Sequence, residues 1–287
     1  LDPGGTALWV DELVVVDVPL PWPKPVWAKD GYTAVPELVL AAGEAGRRVR
    51  VLAAVPLGDG ISRVVTHRLT GGATFARAEH HVAAEHVVPL LEVLLIEGLD
   101  AEPSTVVSTE PVREFLLCTQ GSHDVCCGTI GMAVHAPLAA AGWAVRRVSH
   151  TGGHRMAPTG LTLPDGRMWG GVDESEMVAI LAEAVPPRTV AARCRGWLGA
   201  EPGAAQVAER AVMAAVDDWC FDAEPRRVEA HADDPTRFAV HTGPGTWTVR
   251  VVPGRAVPTI TCGAPGGLPA KPGREWTVES IEGPASV

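Results

Sequence analysis

Cysteine and histidine residues gather in two short segments of this chain, residues 118–128 and 150–155. The first segment carries three thiols within ten positions, Cys118, Cys126 and Cys127. The second carries two imidazoles, His150 and His154, separated by three residues. Thiolates and imidazoles are the side chains that bind zinc and iron–sulfur clusters, and thiols also exchange disulfides. The pattern therefore indicates a metal centre or thiol chemistry.

The spacings within the two segments favour some of these chemistries over others. Cys118 and Cys127 are separated by eight residues, which is wider than the cysteine pairs of structural zinc sites. A helical histidine pair of the zinc-protease kind is not expected, because Gly152 and Gly153 disfavour a helix there. The chain also lacks a Cys-x-x-Cys redox motif. A 2Fe-2S cluster with mixed ligands is favoured, and zinc and thiol chemistry remain open.

The predicted elements bring the two segments to one edge of a sheet. A strand over 113–118 precedes the first segment, a helix over 128–141 follows it, and a strand over 144–149 precedes the second. Ligands of open α/β sheets gather at the carboxyl ends of strands, so the two segments are expected to meet there. Cys127 lies at the expected start of the helix, where the helix dipole favours a thiolate.

The order strand, helix, three strands, helix occurs twice and predicts a duplicated α/β unit. The first copy comprises strands 12–18, 49–55, 61–69 and 73–77, helix 35–45, and a helix over 79–97 kinked at Pro89. His80, His81 and His86 are expected on a solvated face of that last helix. The second copy adds a hairpin over 159–171 and a helix capped by Asp173 and Glu176. Helices that cover a small mixed sheet are typical of the thioredoxin-like fold.

Three regions are therefore expected along the chain. Residues 1–110 form an N-terminal thioredoxin-like unit without ligands, and residues 111–190 form the unit that carries the site. Residues 191–287 form a small α+β region with a helix over 204–219, several short strands, and a loose tail in the last 25 residues.

Composition restricts the partners of the chain. The 34 acidic and 24 basic residues give a net charge of −10, which argues against nucleic acid and against an anionic membrane surface. No apolar run is long enough to span a membrane, and no secretory signal is visible. Six cysteines are too few for a disulfide scaffold. A cytoplasmic protein is expected.

Together, the two segments resemble the paired motifs of the sucrase/ferredoxin-like family, also called sucraseferredoxins. The first motif is Cys-x-x-Gly-x-x-Asp-x-x-Cys and the second is His-x-Gly-Gly-His. The matching residues are Cys118, Gly121, Asp124, Cys127, His150, Gly152, Gly153 and His154. The resemblance covers about residues 8–190. It implies a thioredoxin-like ferredoxin domain whose 2Fe-2S cluster is bound by Cys118, Cys127, His150 and His154, with Cys126 as an alternative ligand.

Residues beside the implied ligands are expected to support the cluster. His123 and Asp124 would orient the ligand loop by hydrogen bonds. Gly152 and Gly153 would let the backbone approach the cluster closely. Arg155 would stabilise the reduced cluster or dock an acidic partner.

The function expected from this resemblance is one-electron transfer. Two neutral imidazoles in place of thiolates ease reduction, as in Rieske centres at roughly −150 to +300 mV. Reduction can be coupled to uptake of a proton by an imidazole. The chain has no dinucleotide-binding motif, so a flavin-containing reductase is expected as donor, and the redox acceptor is unknown.

The expected role is that of an electron carrier more than of a stand-alone enzyme, and no catalytic residue is assigned. Two other functions remain open. One is a thiol–disulfide oxidoreductase that acts through Cys118, Cys126 and Cys127. The other is a zinc-stabilised binding module.

Overall fold

A computed structural model describes residues 1–259 and 271–285, and within them the strands form a ten-stranded and a four-stranded sheet. The large sheet contains β1 (Glu12–Asp17), β2 (Val49–Ala54), β3 (Ser62–Thr70), β4 (Thr74–Val82), β5 (Val106–Ser108), β6 (Glu114–Cys118), β7 (Val145–Val148), β8 (Thr159–Leu163), β9 (Arg167–Gly170) and β10 (Cys194–Trp197). The small sheet contains β11 (Arg227–His231), β12 (Asp234–Thr242), β13 (Gly245–Thr259) and β14 (Lys271–Ala285). The α-helices are α1 (Val35–Glu44), α2 (Val87–Ile96), α3 (Val125–Ala140), α4 (Glu174–Leu181), α5 (Pro187–Val190) and α6 (Ala204–Val216). No helix in these residues is long and apolar enough to cross a membrane.

The large sheet has the same strand order in its two halves. The first half runs β2-β1-β3-β4 and the second runs β7-β6-β8-β9. In each half the first two strands of the chain are parallel, and the other pairs are antiparallel. The α/β class predicted from the sequence is confirmed.

The two halves are joined through β2 and β7. Ala54 lies opposite Val148 in an antiparallel pair. The amide of Val55 donates to the carbonyl of Arg147 at 2.9 Å, and the amide of Ser149 donates to the carbonyl of Ala53 at 2.7 Å. The halves therefore share one continuous sheet.

Alternating side chains of β1 enter two different cores. Val14 and Val16 pack with α1 and α2 on one face. Leu13 and Val15 pack on the other face, where they join Leu116 and other residues of the second half. Each fully buried aliphatic side chain contributes about 1.5–3 kcal/mol, so a run of β-branched residues buried on both faces stabilises this strand strongly.

The sheet is rolled, so that strands far apart in its order meet. The amide of Phe75 in β4 donates to the carbonyl of Pro164, between β8 and β9, at 2.8 Å. The face opposite the helices is therefore folded onto itself and encloses the core that the two halves share.

The C-terminal region packs against the second half through α6. Val207 and Val212 of this helix share a core with Trp169 of β9 and with Val240 and Val249 of the small sheet. Four buried charged side chains cross the same contact. They are Arg167, Glu209, Asp222 and Arg226, which form ion pairs with one another.

The helix predicted over 79–97 was wrong in its first part. Residues 79–82 belong to β4, which pairs along its length with β3, and α2 begins only at Val87. Pro89 is the third residue of α2, where an amide has no carbonyl partner within the helix, so a proline is tolerated there. The predicted solvated helix face is wrong for His80 and His81, which lie in β4, whereas His86 is exposed as predicted. His80 is buried in a strand, with its Nδ1 2.7 Å from the hydroxyl of Thr105.

The loose tail predicted for the last 25 residues was also wrong for the whole of their described part. Residues 271–285 form β14, which pairs with β13 along a long antiparallel hairpin. Two local predictions are confirmed: the hairpin of β8 and β9, and the cap of α4, where Asp173 and Glu176 exchange hydrogen bonds. Cys262 lies outside the described residues.

Candidate metal centre

The candidate site lies where two parallel strands end side by side. Cys118 is the last residue of β6 and pairs in register with Val148, the last residue of β7. The chain after β7 leads at once to His150. The sulfur atoms of Cys118 and Cys127 and a ring nitrogen of His150 all lie within 4.8 Å of one another. Three of the four ligands implied by the resemblance are therefore brought together.

The start of α3 positions the second thiol. Asp124 caps this helix, and its carboxylate accepts the amide hydrogen of Cys126 at 3.1 Å. Cys127 follows in the first turn and is buried, whereas Cys126 is half-exposed. A Cβ atom on Gly128 would lie 2.6 Å from the Cα of Gly121. The helix can lie this close to the ligand loop only because residue 128 is glycine.

The two buried thiols interact directly. Hydrogen bonds from Cys127 and from His150 lower the pKa of Cys118 to about 4. The same bond raises the pKa of Cys127 well above its usual range. Cys118 is therefore the thiolate of the pair and Cys127 is its hydrogen-bond donor, and a thiolate is the form that binds metals.

Both backbone groups of His150 are held by side chains. Its amide donates to Oε1 of the buried Gln120 at 3.1 Å, and its carbonyl accepts from Nη2 of Arg50 at 3.0 Å. The other end of the Gln120 amide donates to the carbonyl of Pro23 at 3.0 Å. The position of His150 is thus fixed by residues from both halves of the sheet.

A second histidine covers the ring of His150. The His123 and His150 rings are stacked. The carbonyl of His123 accepts a hydrogen bond from Nζ of Lys24 at 2.9 Å. Partial burial, with the nearby His150 and Lys24, lowers the pKa of His123.

The loop after His150 lies on a buried guanidinium. Gly152 and Gly153 have φ values of +82° and +72°, which L side chains rarely adopt. A Cβ atom on Gly153 would lie 2.7 Å from Cζ of Arg195. Nη1 of Arg195 donates to the carbonyl of Gly152 at 3.0 Å.

The remaining residues of the second motif are placed only in part. His154 begins a short 3-10 helix, His154–Met156, and its side chain lies outside the described part of the structure. Arg155 is half-buried, and its charge repels that of Arg195. Burial lowers the pKa of Arg155.

Three supporting residues were not found from the sequence as parts of the site. Gln120 lies inside the first motif but could be judged there only as a side chain that does not ligate. Arg50 and Arg195 come from strands distant in the chain. Their one signal in the sequence is a charged residue inside an otherwise apolar strand. A charged residue is unusual there unless it has a partner or a function.

The arrangement can bind a metal. Two buried thiols and a half-buried imidazole, close together, are the donor set of zinc and of iron–sulfur centres with mixed ligands. Thiol–disulfide exchange with a large substrate has little room at this site, because Cys118 and Cys127 are fully buried.

Comparison with protein families gave a match to the sucrase/ferredoxin-like model over residues 7–196. Searches of the curated proteins and of the solved structures gave no match. The matched range contains both motifs, the large sheet up to β10, and the residues that hold His150. The chain therefore belongs to the sucrase/ferredoxin-like family.

Proposed function

We propose that this chain is a one-electron carrier that binds a 2Fe-2S cluster through Cys118, Cys127, His150 and His154. The observation that carries the proposal is the convergence of Cys118, Cys127 and His150 at adjoining strand and helix ends in a chain of this family. We further propose that the two halves of the sheet are tandem thioredoxin-like units, since they repeat one strand order.

The residues present fit such a cluster. Both cysteines are buried, and the stabilised thiolate of Cys118 is ready to bind iron. Hydrogen bonds to its backbone hold His150 in position without a bound metal. Support of this kind from outside the ligands tunes a metal centre and limits its movement.

A bound 2Fe-2S cluster would supply reversible one-electron chemistry, at a potential raised by its two neutral imidazole ligands. The chain's own residues would bind it, exclude water and keep the ligands in place. Burial of Cys118 and Cys127 excludes solvent from the thiolate side. His123, stacked on His150, covers the imidazole side.

The electron partners follow from what the chain lacks and from its charge. Its sequence has no dinucleotide-binding motif, so a flavin-containing reductase would supply electrons. The net charge of −10 favours a partner with a basic docking face. The acceptor would be another redox protein or a small molecule.

Two other functions use the same residues. The close approach of the three donor atoms, within 4.8 Å, also suits a single zinc ion. The hydrogen-bonded pair Cys118 and Cys127 also suits disulfide formation. Both alternatives predict a colourless protein, so colour and metal content separate them from the cluster.

The test is an anaerobic visible spectrum with iron and zinc content, on the native chain and on three variants. Cys127→Ser and His150→Ala remove proposed ligands, and Cys126→Ser is the matched control. A red-brown protein with about two irons per chain, bleached by dithionite, is expected. The colour should be lost in the two ligand variants and kept in Cys126→Ser.

Other results would overturn the proposal. A colourless protein with one zinc would indicate a structural site. A metal-free chain that reversibly forms a Cys118–Cys127 disulfide would indicate a thiol oxidoreductase. Loss of colour in Cys126→Ser with retention in Cys127→Ser would exchange the ligand assignment of these two residues.

A further inference from the structure

One buried guanidinium beside the candidate site has no acidic partner. Arg195 lies in β10 and is 2% exposed. Among residues 1–259 and 271–285, no carboxylate lies within ion-pair distance of it. A buried charge that lacks a counter-charge is costly, and an unpaired arginine in a buried strand therefore requires an explanation.

All the hydrogen bonds of Arg195 go to neutral oxygen atoms. Nε donates to the hydroxyl of Thr6 at 3.1 Å, and Nη2 donates to the carbonyl of the same residue. Nη1 donates to the carbonyl of Gly152 at 3.0 Å and to the hydroxyl of Thr159 at 2.6 Å. The guanidinium is well satisfied as a donor, and its charge is left without a partner.

Other buried arginines in the described chain are neutralised. Arg167 pairs with Glu209 and Asp222, and Arg226 pairs with Glu209. The half-buried Arg210, which donates to the carbonyl of Cys194 beside Arg195, pairs with Asp2. Among the almost completely buried arginines of the described chain, the lack of a carboxylate is particular to Arg195; the half-buried Arg50, at the same site, has no ion pair either.

Arg195 keeps its charge although it is buried. Burial and the charge of Arg155 lower its pKa to about 10, which leaves the guanidinium protonated near neutral pH. Its hydrogen bond to the carbonyl of Gly152, two residues after His150, places this charge beside the loop that carries the two proposed histidine ligands.

The position of Arg195 also shapes the loop that carries the histidines. The guanidinium lies directly under Gly153, where a Cβ atom would meet Cζ at 2.7 Å. Its hydrogen bond to the carbonyl of Gly152 holds the loop in place, just as the hydrogen bond from the amide of His150 to Gln120 holds His150. The conformation of the loop therefore depends on Arg195, and the position of Arg195 depends on glycine at residue 153.

We propose that Arg195 is the counter-charge and positioning residue of this centre: it holds the Gly152–Gly153 loop and favours the reduced state. The inference rests on the proposed function. Two ferric ions, two sulfides and two thiolates sum to zero charge with neutral histidines, and one added electron gives −1. A fixed positive charge nearby stabilises that reduced form. Arg155, to which sequence analysis gave this role, is more exposed, so water and salt screen its charge more.

The test separates the charge from the hydrogen bonds. Arg195→Met removes both, Arg195→Lys keeps the charge without the planar fork, and Arg210→Met is a control that removes a paired arginine nearby. The reduction potential is measured on the loaded protein. Hydrogen exchange of the amides at 150–153 is measured on the cluster-free protein.

The potential should shift to more negative values in Arg195→Met, so that the ratio of reduced to oxidised protein at a fixed potential falls about tenfold. It should stay near the native value in Arg195→Lys and in Arg210→Met. Amide exchange at 150–153 should be faster in both Arg195 variants and unchanged in Arg210→Met. If Arg195→Met does not fold, Arg195→Gln, which loses the charge and keeps donors, gives the same comparison.

A native chain without a cluster would refute the proposed function itself. A native chain with a cluster whose potential is the same in Arg195→Met or Arg195→Gln would refute the counter-charge. Unchanged amide exchange in both Arg195 variants would refute the positioning role.

Discussion

The imidazole of His123 lies flat against the imidazole of His150, with ring centroids 3.8 Å apart and planes inclined by 18°. Aromatic pairs of this kind contribute about 0.5–1.5 kcal/mol beyond the area they bury. His123 therefore helps to hold the ring of a proposed ligand and limits the access of water to it.

Replacing His123 should weaken this cover. In His123→Ala the ring of His150 loses its partner, and a strong iron chelator should remove the cluster several-fold faster than from the native protein. The loss of visible absorbance with time measures the rate. His123→Phe keeps a stacking ring and should behave as the native chain. Equal rates in all three proteins would contradict a covering role.

Gln120 should contribute to stability through its hydrogen bond to His150. In Gln120→Ala the partly buried amide of His150 loses its acceptor, which costs about 1–3 kcal/mol in the free energy of unfolding. Denaturant titration of the cluster-free protein measures this difference. Val125→Ala, an exposed substitution at the start of α3, is the control and should change stability by less than about 0.5 kcal/mol.

Gly153→Ala should be more damaging than the same change at Gly142. Both glycines have a positive φ, which costs an alanine about 1–2 kcal/mol. Only Gly153 has a neighbour in the way, since a Cβ on Gly142 meets nothing within 4 Å. The clash with Arg195 should add about 1–3 kcal/mol, seen as a larger fall in the free energy of unfolding. Equal losses in the two variants would show that the loop yields without cost.

The stability of the cluster-free protein should fall in acid because of His67. This side chain is 1% exposed, and its Nε2 is 3.6 Å from Oε1 of Glu114. Burial, with the charges of Arg77 and Arg146, lowers its pKa to about 3. In the unfolded chain a histidine titrates near about 6.5, so between these values only the unfolded state binds the proton. Stability is therefore lost as the pH falls below about 6.5.

His67→Leu should remove this part of the pH dependence. The comparison is the change in the free energy of unfolding as the pH is lowered from about 6 to about 4. Per pH unit, this free energy should fall by about 1 kcal/mol more in the native chain than in the variant. Denaturant titrations at several pH values measure the two slopes. Parallel slopes would mean that the folded protein accommodates a charged His67.

Local signals in the sequence predicted several elements well. The hairpin of β8 and β9 follows from the turn at Asp165 and Gly166, and the start of α4 follows from Asp173 with Glu176. These signals act over a few residues, so no distant contact can change them easily.

The errors arose where distant contacts decide the structure. Residues 79–82 have little strand character of their own, but pairing with β3 makes them a strand. The segment 271–285 is extended because β13 offers it a partner. At the site, the motifs include Cys118, Cys127 and His150, whose donor atoms meet in the structure, whereas Arg50 and Arg195 are joined to the site only by the folded sheet.

The join between β2 and β7 has a consequence for how small this protein can be made. All four proposed ligands lie in the second half, yet two residues of the first half support His150. Arg50 donates to the carbonyl of His150, and the carbonyl of Pro23 accepts from Gln120, which in turn accepts from the amide of His150. A fragment that contains only the second half would keep every proposed ligand and lose these supporting hydrogen bonds. The half without ligands thus supports the half that carries them, and any shortened protein that keeps a rigid centre must include both.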